Sequence, residues 1–419
     1  MIQRMINQTV TAVVRREFSR AMCFEEGTPP VLPPAPKQTP RLLYLHVPFC
    51  EKLCPYCSFN RFLFDESVCR NYFQALKKEI RLYHERGYDF GGVYVGGGTP
   101  TVMSEELAAT LQVAKECFSI REISVETNPN HLTEDRLAIL KEAGVNRLSV
   151  GVQSFDDGLL KDMERLEKYG SGEEIAGRLA AIGGRFDTLN ADMMFNFPSQ
   201  TPDILNQDLE TLLKSGVDQV TYYPLMVSDS TRQQVAKALG KVDYGREERF
   251  YAQILARLLP TYRFSSAWCF SRKASMIDEY IVDYDEYAGL GSGSIGFLNG
   301  ACYANTFNIQ EYIGKIERGE APLMAARVFS RKDQMRYDFL MKLFGTRLDL
   351  KTLHDKYGVN PWYYLWFEIL SLILAGRLSY DKGRLTLTDR GCYSWVIMMR
   401  EFFTSVNNFR DFCRNRLPS

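Results

Sequence analysis

Three cysteines, Cys50, Cys54 and Cys57, share one short segment, YLHVPFCEKLCPYCSFN (Tyr44–Asn60). Soft thiolates at the spacing C-x3-C-x2-C on a single loop can hold three irons of a cubane cluster and leave a fourth iron open to a ligand. Zinc is the alternative. A structural zinc site closes with four ligands, usually as two separated pairs, and no second pair lies nearby. His46 is close in sequence but falls inside the apolar run Leu42–Val47, a poor place from which to complete a tetrahedron. The remaining seven cysteines are scattered, as small buried thiols in a reducing compartment are. Cys269 and Cys302 flank a glycine-rich segment and are read as buried thiols too.

A loop of this kind needs a frame, and the chain supplies a rhythm. Short apolar runs recur at Leu42–Val47, Gly92–Val95, Ile123–Glu126, Arg147–Val152, Leu189–Phe195 and Gln219–Pro224. Stretches of helical period separate them, among them Cys69–Arg86, Glu105–Cys117 and Glu134–Ala143. Strand and helix in alternation predict an α/β fold with a parallel sheet, and near-continuous apolar character predicts strands covered on both faces. A closed barrel takes eight such units; six runs predict a partial, open (β/α)6 barrel. Chemistry gathers at the carboxyl ends of such strands, and the cysteine loop follows the first.

The division expected is an N-terminal arm and proline-rich connector over 1–40, the barrel over 41–243, a barrel extension with a glycine-rich segment (Gly289–Gly296) over 244–327, and a helical accessory domain over 328–419. Within the arm, residues 1–26 read as helical. In the last part, Asp381-Lys382-Gly383 predicts a hairpin turn. Helices followed by a hairpin predict a winged-helix-like unit. With Lys plus Arg and Asp plus Glu at 51 each, no global charge points to nucleic acid, so that unit is assigned to structure or substrate cover. No run reaches the roughly 18 apolar residues of a membrane span, so no stable insertion is expected. The N-terminus lacks the pattern of a secretory signal, and the expected address is cytoplasmic.

Five motifs in fixed order extend the cysteine signal: YLHVPFC, GGGTPT (Gly96–Thr101), ETNP (Glu126–Pro129), VQSF (Val152–Phe155) and DMMFNFPSQT (Asp192–Thr201). With Tyr56 as the aromatic residue before the third cysteine, they resemble the radical S-adenosylmethionine (SAM) superfamily, in its branch of oxygen-independent coproporphyrinogen III dehydrogenases and their haem-handling relatives. The match is close over about residues 42–230 and looser at RLTLTDRG (Arg384–Gly391). The resemblance implies a 4Fe–4S cluster on Cys50, Cys54 and Cys57 that reductively cleaves SAM to a 5′-deoxyadenosyl radical, with an electron donor such as flavodoxin or ferredoxin. It implies that Gly97, Gly98 and Thr99 meet the amino end of SAM. Glu126 binds its ammonium or ribose, Gln153 and Asp192 its ribose hydroxyls, and Arg165 its carboxylate. Tyr44 lies near the methionine end, and His46 could touch a second SAM.

The pattern departs from the branch in telling places. The dehydrogenases carry a further cysteine two residues after the cluster, where this chain has Phe59. Phe59 matches the haem chaperones, yet Glu167 stands where those carry a histidine two residues after the arginine. Three activities follow as expectations. The first is oxidative decarboxylation of coproporphyrinogen III or modification of haem. The others are haem delivery with little turnover, and methyl transfer with two SAM molecules. Aromatic residues such as Tyr222, Tyr223, Trp268, Trp362, Tyr363 and Trp366 could line a flat-ligand pocket but read more readily as core.

Overall fold

In the computed structural model the six apolar runs are strands: β1 (Arg41–Val47), β2 (Gly92–Gly97), β3 (Glu122–Thr127), β4 (Arg147–Gln153), β5 (Thr188–Phe195) and β6 (Gln219–Pro224). They pair in parallel in this order. The structure describes residues 15–16, 31–35, 41–229, 231–277 and 279–415. The expected helical arm and most of the connector therefore lie outside the described residues. β1 and β2 are buried at every position, as strands covered on both faces are. The covering helices are α1 (Glu66–Glu85), α2 (Ser104–Cys117), α3 (Glu134–Glu142), α4 (Gly172–Ala181) and α5 (Pro202–Ser215). α1 buries Cys69, Tyr72, Phe73, Leu76, Ile80 and Tyr83, a stripe at helical spacing, and starts at Asp65, whose carboxylate accepts from Val68 N at 2.9 Å.

The sheet is wider than the apolar runs predict, at twelve strands. After α6 (Glu247–Leu258), β7 (Arg263–Phe264) and β8 (Cys269–Ser271) extend the β6 edge antiparallel. β9 (Glu286–Leu290) lies parallel to β1 on the other side. β10 (Ile295–Leu298), β11 (Ala301–Asn305) and, beyond α7 (Ile309–Glu317), β12 (Leu323–Val328) continue outward from β9 as antiparallel neighbours. The glycine-rich segment thus builds sheet. Gly291 takes φ +94, and a Cβ there would stand 2.5 Å from the carbonyl oxygen of His46. Glu79 of α1 fastens this segment, accepting from Gly291 N at 2.8 Å, Tyr312 OH at 2.6 Å and Asn305 Nδ2 at 3.0 Å. Burial pushes its carboxyl up to about 7 against the pull of those donors.

The last part runs α8 (Arg331–Phe344), β13 (Arg347–Asp349), α9 (Leu350–Tyr357), α10 (Trp362–Leu374), β14 (Leu378–Asp381), β15 (Arg384–Leu387) and α11 (Asp389–Asn415). β14 and β15 form a hairpin through Lys382 and Gly383, both at positive φ, and β13 pairs with β15. α11 is clamped to the rest by charge. Arg400, buried, pairs with Glu247 of α6 and with Glu401 at 3.0 Å, while Tyr393 OH donates to Glu247 at 3.2 Å. Replacing Arg400 by Met strips a buried carboxylate of its cation, and a loss of about 3–5 kcal/mol in chemical unfolding is expected. Adding Glu247→Gln to that variant should restore part of the loss; unchanged stability in the single variant would refute the clamp.

Candidate functional site

β1 hands the chain to the cysteine loop. Phe62 N donates to Pro48 O at 2.7 Å and Phe64 N to Cys50 O at 2.9 Å, which closes the loop at its base. Inside it, the Arg61 guanidinium donates to the carbonyls of Cys54 at 2.6 Å and Cys57 at 2.8 Å. The loop lies against the end of β2, where Gly98 N donates to Val47 O at 2.8 Å and Thr99 N to Phe49 O at 2.7 Å. A Cβ on Gly98 would stand 2.6 Å from Phe49 O, so only glycine permits this approach. Burial raises the Cys50 thiol to about 11 and raises Cys57 as well, so an uncoordinated loop keeps both protonated at neutral pH.

All three thiols line one cavity of about 570 Å³. Tyr44, Tyr56, Gly97, Gly98, Thr99, Glu126, Gln153, Arg165 and Asp192 line it with them, so nine of the ten cofactor-site residues named from the sequence come together. Glu126, at the end of β3, accepts from Tyr94 OH at 3.0 Å and from Gly97 N at 3.2 Å. Asp192 accepts from Ser149 OH and Asn190 Nδ2, each at 2.8 Å. Gln153 sits at φ +73, where the register of β4 against β5 slips after Gly151. The Gly151 carbonyl accepts from Arg165 at 2.5 Å. Arg165 also donates to Asn128 Oδ1 at 3.3 Å, approaches Cys54 Sγ at 3.7 Å and stacks over Tyr169 at 4.1 Å. Burial opposes its charge, but Tyr56 and Cys54 outweigh that and hold the guanidinium protonated.

His46 is placed differently. It is buried behind the glycine loop and does not line the cavity. Its Nε2 lies 2.8 Å from Asn60 O, an acceptor only, which assigns the proton to Nε2; Nδ1 then accepts from Tyr44 OH at 2.9 Å. Burial lowers its pKa to about 3, leaving it neutral. Asn60 in turn donates to Ser292 O at 3.2 Å, so His46 joins the cysteine loop to the glycine-rich segment.

The far wall comes from the C-terminal part, which the motifs did not reach. Arg414 of α11 donates to Ser58 O at 3.1 Å, and Arg410, one turn earlier, lies over the Phe59 ring at 4.8 Å. Tyr280 stacks on Tyr44 at 5.9 Å and meets Tyr287 edge-on at 5.1 Å. Of the aromatics read from sequence, Tyr223 lines the cavity, Tyr222 and Trp268 are core, and Tyr363 and Trp366 are exposed on α10. Cys302 lines the cavity as a buried thiol, and Cys269 is buried in the sheet. Sequence reading also missed Asn128, Tyr169 and Arg61. Asn128 lies inside the ETNP motif and Arg61 four residues after Cys57, so local signals existed; Arg410 had none.

The residues fit a cluster and a charged ligand on it. The Nε of Arg165 is buried without a hydrogen-bond partner, a donor left for an anionic group. The donor set is three thiols, and among the described residues no three His, Cys, Asp or Glu side chains converge on a single-ion site.

Fold and site together define a SAM-binding protein of the radical type. Residues 44–212 match the family model described as Radical SAM superfamily. Heme chaperone HemW of Bacillus subtilis (strain 168) is 30% identical over 366 residues, covering 83% of this chain and 95% of that protein. Anaerobilin synthase of Escherichia coli O157:H7 is 28% identical over 334 residues, or 75% and 74% of the two chains. The structure of coproporphyrinogen III oxidase (HemN) from Escherichia coli superposes with a TM-score of 0.73 at 22% identity, covering 92% of this chain and 93% of that one. The chain belongs to the radical SAM superfamily, in the branch of HemN and HemW, and that membership implies a 4Fe–4S cluster and SAM.

Two outcomes check this geometry. In cluster-free protein, an unfolded His46 takes up a proton below pH 6.5 that the folded one refuses, so stability falls as pH drops. His46→Gln should lose about 2 kcal/mol less than wild type between pH 7 and pH 5 in urea unfolding; parallel losses would refute the buried neutral ring. Gly98→Ala should leave the protein folded but abolish most of the iron retained after anaerobic reconstitution. Full iron incorporation would show that the loop does not need its contact with Phe49.

Proposed function

We propose that this protein binds haem in the chamber between the cysteine loop and α11 and passes it on, as a haem chaperone built on the radical SAM fold. The observation that carries the reading is the chamber itself: one space of about 570 Å³ lined by the three thiols and by Tyr280, Tyr287 and Arg410. A space of about 300–1,000 Å³ with mostly apolar walls and a few polar groups suits a single flat ligand. The similarity to HemW over 95% of that protein supports the same reading.

In this reading Cys50, Cys54 and Cys57 hold the cluster. A 4Fe–4S cluster supplies one-electron reduction of SAM when a donor such as flavodoxin or ferredoxin reduces it. Arg165 holds the SAM carboxylate with its free Nε, and the backbone of Gly97 and Gly98 with Thr99 receives the amino end. Glu126 takes the ammonium or ribose, Gln153 and Asp192 take ribose hydroxyls, and Tyr56 and Tyr169 keep water from Arg165. His46 acts by position, setting Tyr44 at the methionine end. We read residues 41–243 as the barrel, 244–327 as its extension and 328–419 as the accessory domain. The order helix, strand, two helices and hairpin over 331–387 supports a winged-helix reading of the latter. Its role is to cover the ligand. Among the described residues no helix is long and apolar enough to cross a membrane.

A second reading, modification of haem by the radical, is favoured by one observation: the thiols and the far wall share a single cavity. Anaerobic incubation with dithionite, SAM and haem, followed by mass spectrometry, separates the two. Delivery predicts tight haem binding, haem recovered at its original mass, and no haem-dependent 5′-deoxyadenosine. A mass-shifted tetrapyrrole with stoichiometric 5′-deoxyadenosine would replace delivery with catalysis, and absence of haem binding would sink both. Glu126→Gln and Asp192→Asn should each weaken SAM binding about tenfold or more while cluster iron is retained, consistent with loss of a hydrogen bond to a charged group.

A further inference from the structure

Arg410 is a cation placed inside the chamber with no carboxylate to balance it. It lines the cavity, its Nε is buried without a hydrogen-bond partner, and its Nη1 donates at 2.8 Å to the neutral Asn407 one turn earlier. Among the described residues no carboxylate forms an ion pair with it. The chamber's four acids are engaged elsewhere: Glu126 with Tyr94, Asp192 with Ser149 and Asn190, Glu279 with Ser266 and Trp268, and Asp333 with Ser330. Tyr44 and Tyr280 stack on each other in the same cavity lining, and Phe59 lies beneath the guanidinium. A guanidinium withdrawn from water and left without a counter-charge is unfavourable unless a ligand brings one.

We infer that Arg410 is the anchor for a carboxylate carried on the rim of a flat aromatic ligand, and that it sets the chamber's preference for acid-bearing rings over neutral ones. The inference rests on the tetrapyrrole reading for the identity of that ligand, while the anion site stands on Arg410 itself. The planar donor fork suits a carboxylate, and the neighbouring rings receive the face of the body that carries it. A carboxylate in the chamber could also come from SAM, and the cluster thiolates are a third source of negative charge, since Cys57 is among the groups that attract Arg410.

The test uses cluster-loaded protein saturated with SAM, titrated by tryptophan fluorescence with haem and with haem dimethyl ester. Wild type should bind the free acid about 10–100-fold tighter than the ester, the range of a charge-assisted pair. Arg410→Met should bring the two affinities together, and Arg410→Lys should keep part of the preference. Equal affinities in wild type overturn the inference without any variant, and so does a preference that survives in a folded Arg410→Met protein. A preference seen without SAM and abolished by it assigns the arginine to SAM and also overturns it. If neither haem binds, the tetrapyrrole reading fails, and thermal melting with 2-naphthoate against 2-naphthamide decides the anion site. Stabilisation by the acid alone, lost in Arg410→Met, upholds it; equal effects of acid and amide end it.

Discussion

The cysteine loop can stand where it does because two backbones touch. Gly98 N and Thr99 N donate to the carbonyls of Val47 and Phe49, and the absence of a Cβ on Gly98 lets the end of β2 reach the start of the loop. Paired main-chain groups fix a loop more firmly than side chains, which must lose rotamer freedom to hold anything. From this contact the rest of the site is propagated outward. Thr99 reaches Cys50 Sγ at 3.7 Å, Asn128 reaches Thr99 at 2.8 Å, and Arg165 joins Asn128 to Cys54. Three different strand ends are thereby tied to two of the three thiols before any ligand arrives, which is the preorganisation that a bound charge rewards.

The same loop is braced from behind and closed from above. His46, Asn60 and the positive-φ turn at Gly291 link it to the sheet extension, and Glu79 holds that extension to α1. Above, Arg414 and Arg410 bring α11 over Ser58 and Phe59, while Arg400 anchors the helix by its charges. The C-terminal part therefore completes the chamber wall.

Much of this was legible in the sequence because its physics is local. Six apolar runs bounded by polar turns could only be covered parallel strands, and C-x3-C-x2-C needs no tertiary information to suggest metal. The hairpin at Lys382-Gly383 was legible for the same reason. The flanking strands were not. Arg263–Phe264 and Cys269–Ser271 are too short to show alternation, and the strands around Gly289–Gly296 look like a loop because glycine leaves no pattern. α10 misled in the opposite sense, since its aromatic richness read as core, but Tyr363, Trp366 and Phe367 face outward. Arg410 could not be found from sequence at all. Its meaning depends on a helix returning some 350 residues after the loop it covers, and on the lack of a carboxylate paired with it among the described residues.

The four histidines sharpen what the chamber can do with haem. His46 is walled off behind the glycine loop, and neither it nor His84, His131 or His354 lines the cavity. A neutral imidazole is a strong ligand for haem iron, alongside thiolate, thioether and phenolate. A chamber without histidine would hold the macrocycle by stacking and by its rim, with Cys302, Met194 and Met226 among the lining side chains able to meet the iron. Such a hold needs no histidine–iron bond to break before transfer. It also leaves the edge of the ring free to lie towards the thiols. Delivery and radical modification then differ only in which part of the ring faces the cluster end. As the proposed carboxylate anchor, Arg410 would orient the ring by its rim.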